Sequence, residues 1–179
     1  MKLMYIHLTT HSAFSLQEGL STPTHLVQAA QAMSMRALGL TDRNLLTGAI
    51  EFATACQEAN IQPIIGLEVH LNDGPVSLFA TSLAGWSCLC RLSSAINVRD
   101  DPDHPCTLDM LADCSSDLIA ISKHPQLLKD IFSNRLYVNL QDPSDAEQLS
   151  ILARRFGLPI VVTHPVYFLF PEQAPLQRT

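Results

Sequence analysis

The sequence has no run of about 18 apolar residues, the least that a membrane-spanning helix needs. Its first residues carry one lysine and then turn polar, which is not the pattern of a secretory leader. A cytoplasmic location with no membrane partner is therefore expected. Basic residues are scarce: 11 Lys and Arg stand against 17 Asp and Glu, a formal charge of −6. A domain that grips phosphates by itself needs a basic patch. The one basic pair, Arg154-Arg155, is expected on a solvated helix face. The five cysteines are odd in number and follow no disulfide spacing. Cys88-Leu89-Cys90 is too tight for a zinc finger, so all five are expected as buried or half-buried thiols. There is no Walker loop, no G-x-G-x-x-G and no G-x-S-x-G elbow. Ser12 and Ser15 lie near His11 without a triad order, so no catalytic residue is assigned.

What is present is a globular chain of 179 residues, 47% hydrophobic and 16% charged, with no internal repeat. Apolar periodicity alternates between strands and helices. Strands are expected at 3–9, 37–41, 61–71, 76–81, 118–122, 136–140 and 159–163. Helices are expected at 25–35, 46–59, 84–96, 108–112, 125–132 and 144–156. Thr22-Pro23 reads as an N-cap with proline at the first helical position, and Asn60 as a left-handed C-cap. Asp73-Gly74 marks a hairpin, and 97–106 a surface loop. Strands separated by helices imply mostly parallel pairing and an α/β fold, either a barrel or an open sheet. The end, FLFPEQAPLQRT, is apolar and proline-rich with no capping device, as if the chain continued into another domain.

If residues up to Thr9 form a strand, residues 7, 9 and 11 share one face. A His-x-His-x-His row would be a metal-binding comb; here it reads His7, Thr9, His11. Other polar residues at strand ends are Asp42 and Arg43, Glu68 and His70, Lys123, Asn139, and Thr163-His164. In parallel α/β folds such ends carry the chemistry, and this set suits a divalent-metal pocket. His70, His104 and His124 are expected at the surface.

The blocks IHLTTHSAFSLQEG, ALGLTDRNLLTGAIEF, IQPIIGLEVHL, GWSCLCRLSSAIN, LYVNLQ and LPIVVTHPVYFLFPEQA run from residue 5 to about 176. In order and spacing they resemble the PHP (polymerase and histidinol phosphatase) domain of the bacterial DNA polymerase III alpha subunit, DnaE type. The resemblance implies a distorted seven-stranded α/β barrel, and a single PHP domain over residues 1–179 at the N-terminus of a longer polymerase chain. The family's metal-binding form carries H-x-H, T-D-H, G-x-E and D-x-H. By that pattern His11, Asp42 and Glu68 are kept as metal ligands, and His164 is a compensating candidate. Thr9, Arg43, Asn139, Pro165 and Tyr167 stand where ligands are lost, and His7 is a structural residue at the rim.

Too few ligands survive for the trinuclear cluster that similar domains hold. Arg43 brings a charge that does not deprotonate, and Pro165 has no ligand atom. Arg43 beside Asp42 and Glu68 is expected to form an ion-paired remnant of the site. The resemblance thus implies a PHP domain without its own cofactor, a scaffold and docking site for the proofreading exonuclease subunit. Its other partner is the rest of the alpha subunit. Nucleotidyl transfer with magnesium, and DNA contact, belong to the parent polymerase. Two alternatives stay open. One is an active metal-dependent phosphoesterase or 3′–5′ exonuclease using zinc or manganese, since three ligands and a water suffice. The other is a folding scaffold with no partner.

Overall fold

The computed structural model describes residues 5–98 and 105–177. They form two compact units, one from residues 1–66 and 164–179, the other from residues 67–163. Among the described residues no helix is long and apolar enough to cross a membrane. His104 and most of the expected surface loop lie outside them.

In the first unit helix α1 (Pro23–Ala32) starts as expected. The Thr22 hydroxyl accepts the His25 N–H at 3.3 Å, and Pro23 occupies the first turn, where its missing N–H costs nothing. The helix ends before Met35 because Ser34 turns left-handed (φ 56°), so Met35 N–H bonds back to the Ala30 carbonyl at 2.9 Å. Helix α2 (Ala49–Glu58) closes in the same way. Asn60 has φ 55°, and Ile61 N–H reaches the Cys56 carbonyl at 2.9 Å. It begins three residues later than its periodicity suggests, since Asn44 is left-handed (φ 57°) and a turn joins Ala49 N–H to Leu46. Leu26, Val27 and Ala30 of α1 pack on Phe52 and Cys56 of α2 and on Leu38 and Leu40 of β1 (Ala37–Leu40). Strand β1 pairs in parallel with the first half of β2 (Gln62–Leu71).

The strand expected at residues 3–9 does not form a regular ladder among the described residues. Extended backbone instead lies between β1 and residues 164–167, with one parallel bridge, Thr10 to Val166. Gly39 N–H bonds His7 O at 2.7 Å, and Thr41 N–H bonds Thr10 O at 2.9 Å. On the other side Val166 N–H bonds Thr9 O at 3.0 Å, and His11 N–H bonds Val166 O at 2.9 Å. The acceptors His7 and Thr10 are three residues apart while the donors are two apart, so the segment carries one extra residue, as in a bulge. The expected common face of residues 7, 9 and 11 is broken there. His7 joins Thr10, Leu26, Met33, Leu38 and Leu169 around a cavity of 190 Å³. The chain end, expected to lack a cap, carries the short helix α7 (Ala174–Gln177), and the Gln173 amide oxygen accepts the N–H groups of Leu169 and Phe170 at 3.0 and 3.1 Å.

The second unit holds the rest of β2, β3 (Gly74–Ala80), α3 (Leu83–Asn97), α4 (Leu108–Ala112), β4 (Leu118–Ser122), α5 (Pro125–Phe132), β5 (Leu136–Leu140), α6 (Ala146–Phe156) and β6 (Ile160–Val162). Ser82 caps α3 by accepting Gly85 N–H at 3.1 Å. Leu78, Leu89, Leu92, Leu118, Phe132 and Leu136 are all buried. Arg154 and Arg155 are exposed in the last turn of α6, where they complement its dipole. Strand β4 pairs in parallel with β5, and β5 with β6, as helical crossovers require. Strand β3 instead pairs antiparallel with β4, although two helices connect them. Within the second unit these pairings give the strand order β3, β4, β5, β6. The α/β class is as expected, with six strands among the described residues.

Candidate functional site

Asp42 lies two residues beyond the end of β1, and it is buried. A carboxylate there must be satisfied by donors, because an unpaired buried charge is costly. The turn at residues 11–19 supplies them. Ser12 donates its N–H to Asp42 Oδ1 at 2.6 Å and its hydroxyl to Oδ2 at 2.7 Å. The Ser15 hydroxyl donates to Oδ1 at 2.8 Å. Ser12 Oγ in turn accepts Phe14 N–H, and Ser15 Oγ accepts Arg43 N–H at 3.0 Å. The turn closes tightly: a Cβ on Gly19 would sit 2.0 Å from the Ser12 carbonyl oxygen.

His11 Nδ1 is 3.4 Å from Ser15 Oγ. The single Ser15 proton points to Asp42, so the imidazole is the donor in this pair, which places a proton on Nδ1. The buried ring stacks on Tyr167, with centroids 4.6 Å apart and planes 21° from parallel. Tyr167 thus packs against the histidine. Thr9 Oγ1 is buried without a hydrogen-bond partner among the described residues.

Within the first unit the Arg43 guanidinium pairs with Glu18 and not with the neighbouring Asp42. Arg43 Nη1 bonds Glu18 Oε1 at 2.9 Å, with both side chains partly in solvent. Asp42 is already held by neutral donors, so the guanidinium takes the acidic residue at the rim. Glu18 was not singled out in the sequence; its only local signal is the Ser15-x-x-Glu18 spacing of a turn. His7 and His164 are neighbours. Burial lowers the pKa of His7, the His164 backbone raises it by hydrogen bonding, and the nearby His164 charge lowers it. His164 is exposed, and Pro165 is half-buried.

The other candidates belong to the second unit. Glu68, buried on β2, has Oε1 3.1 Å from His70 Nε2. His70 is therefore half-buried and paired, contrary to its expected surface position. Asn139, buried on β5, accepts the Thr163 hydroxyl at 2.7 Å. Lys123 pairs with Asp145 at 2.9 Å. His124 is half-buried at the start of α5, its N–H bonded to Ser122 Oγ at 3.1 Å.

In the first unit the Asp42 carboxylate has most of its acceptor positions taken. A carboxylate offers about four lone-pair positions, and three of Asp42's are filled by protein donors. Thr9 offers a neutral hydroxyl and Pro165 no side-chain atom, while Arg43 holds a fixed positive charge beside Asp42 in sequence.

Against known proteins, the PHP domain profile matches residues 7–155. The chain is 27% identical over 93% of its length to a DNA polymerase III subunit alpha of Halalkalibacterium halodurans, covering 18% of that protein. It is 31% identical over 96% of its length to an error-prone DNA polymerase of Symbiobacterium thermophilum, covering 20% of it. The chain thus spans about a fifth of these relatives. Among solved structures it superposes on a Bifidobacterium adolescentis protein described as a metal-dependent phosphoesterase, with TM-score 0.65 and 13% identity over 92% of this chain and 88% of that one. An amidohydrolase of Chromobacterium violaceum matches with TM-score 0.60 and 15% identity over 90% and 87%.

Proposed function

The chain belongs to the PHP domain family, and from that premise we propose that it is a non-catalytic PHP domain of a DNA polymerase III alpha chain, which stabilises the polymerase and docks its proofreading exonuclease. The observation that carries this reading is the Asp42 cage. The residue that would hold metal in an active relative is here a hydrogen-bond anchor for Ser12 and Ser15. Similarity to polymerase subunits over nearly the whole chain supports the parentage.

In this proposal the 179 residues form the N-terminal domain of a longer cytoplasmic chain. Residues 7–11 act as the seventh strand of the family's barrel, since they bond β1 on one side and Val166 on the other. Magnesium, DNA and nucleotidyl transfer belong to the rest of the alpha subunit.

The second reading is a metal-dependent phosphoesterase or exonuclease using His11, Asp42, Glu68 and His164. The fold of the phosphoesterase neighbour favours it. One preparation separates the two. The isolated chain, supplied with zinc or manganese, is expected to hydrolyse neither a phosphomonoester nor single-stranded DNA above the blank. It is expected to co-elute with the purified exonuclease subunit of the same replicase. Metal-dependent hydrolysis, abolished by His11→Ala, would establish the second reading instead.

A further inference from the structure

We propose that a cavity of 510 Å³ in the second unit, beside the turn between β2 and β3, docks a basic segment of a partner protein that sets an arginine or lysine next to an apolar side chain. None of its lining residues belongs to the metal-binding pattern. One backbone bond, from Cys106 N–H to the His70 carbonyl at 2.7 Å, holds the end of β2 against the residues that lead into α4. Thr107 then opens α4, its hydroxyl accepting Met110 N–H at 3.4 Å. Leu127, in the first turn of α5, closes a third side.

The cavity has an apolar floor and an acidic rim. Leu71, Leu108 and Leu127 line it. Leu71 is buried and Leu127 half-buried, while Leu108 is 38% exposed at the mouth. Asp73, in the turn, and Asp109, on α4, stand on two different walls, and both are exposed. Neither is ion-paired among the described residues. No lysine, arginine or histidine lines the cavity, so the two carboxylates face it without a counter-charge.

This combination selects the occupant. A metal ion needs several ligand atoms converging on one point, and among the described residues no third group joins these two carboxylates in such a set. An anion is repelled by both, and a wholly apolar ligand offers neither of them a counter-charge. An arginine or lysine answers both features, since its stem lies along apolar surface while its head stays in water beside a carboxylate. A guanidinium also matches a carboxylate with two parallel N–H bonds. The volume falls in the range of ligand pockets, with room for that stem and an apolar neighbour. Asn72 and Thr107 are exposed at the rim, so an extended chain can cross it.

A short fluorescein-labelled peptide alternating leucine and arginine is titrated with the chain, and anisotropy reads the affinity. Saturable binding is expected, and the same peptide with glutamate for arginine should not bind. Glycine for leucine should weaken binding about tenfold, because the apolar floor then stays wet. Asp73→Asn combined with Asp109→Asn should also weaken it about tenfold, as two exposed charge pairs are lost. NMR of the leucine methyl groups in the parent chain should show peptide-induced shifts at Leu71, Leu108 and Leu127, which locates the site should the double variant fail to fold. No saturable binding, equal binding of the glutamate peptide, an unchanged affinity in the double variant, or methyl shifts only elsewhere would overturn the proposal.

Discussion

Replacing Asp42 by alanine is expected to lower the stability of the metal-free chain by about 3–5 kcal/mol, because several buried donors lose their acceptor together. The carboxylate accepts the Ser12 N–H, the Ser12 hydroxyl and the Ser15 hydroxyl, at 2.6–2.8 Å. Ser12, Ser15 and Asp42 are all essentially out of solvent. The turn that carries His11 would lose its attachment to the end of β1. Asp42→Asn keeps one acceptor oxygen and should cost less. Arg43→Ala should cost under about 1 kcal/mol, because the Glu18 pair is partly exposed and screened. Urea unfolding of the four chains checks the order. A carboxylate held ready for a metal behaves oppositely: its removal would leave the metal-free chain as stable as the parent.

The second large effect is expected at Gly39. A Cβ there would lie 2.1 Å from the Leu8 carbonyl oxygen, 2.7 Å from its carbon and 2.8 Å from its Cα. All three are backbone atoms, so no side chain can swing away. Gly39→Ala should push residues 7–10 off β1, break the 2.7 Å bond from Gly39 N–H to His7 O and release the Thr10 hydroxyl from the Gly39 carbonyl. A loss of about 3 kcal/mol is expected, at the upper end of overpacking costs. Limited proteolysis should find the N-terminal segment cut first. A variant within about 0.5 kcal/mol of the parent would show that the close approach is not rigid.

Local punctuation was legible in the sequence. Thr22-Pro23 and Asn60 fixed a helix start and a helix end because their preference lies within one or two residues of backbone. The bounds of β4, β5 and α5 match their periodicity for the same reason. The bulge at residues 7–10 was not legible, since it depends on the spacing of donors at 39 and 41. The antiparallel pairing of β3 with β4 was hidden likewise, because connection length alone does not set direction.

At the site, His11 and Asp42 stood out by their resemblance to a metal-binding pattern, but their partners did not. Ser12 and Ser15 were visible only as possible nucleophiles. Their role as donors to a carboxylate 27 to 30 residues away required the fold. A separation of 25 residues likewise hid Glu18 as the partner of Arg43.

The most direct measurement is the metal content of the chain, stripped with chelator, incubated with zinc or manganese and passed through gel filtration, beside the double variant Thr9→His, Arg43→His. Substoichiometric metal is expected in the parent. The variant, with two more imidazoles and no fixed cation, should retain more. One or more ions held tightly by the parent, and lost on replacing His11 or Glu68, would contradict this expectation.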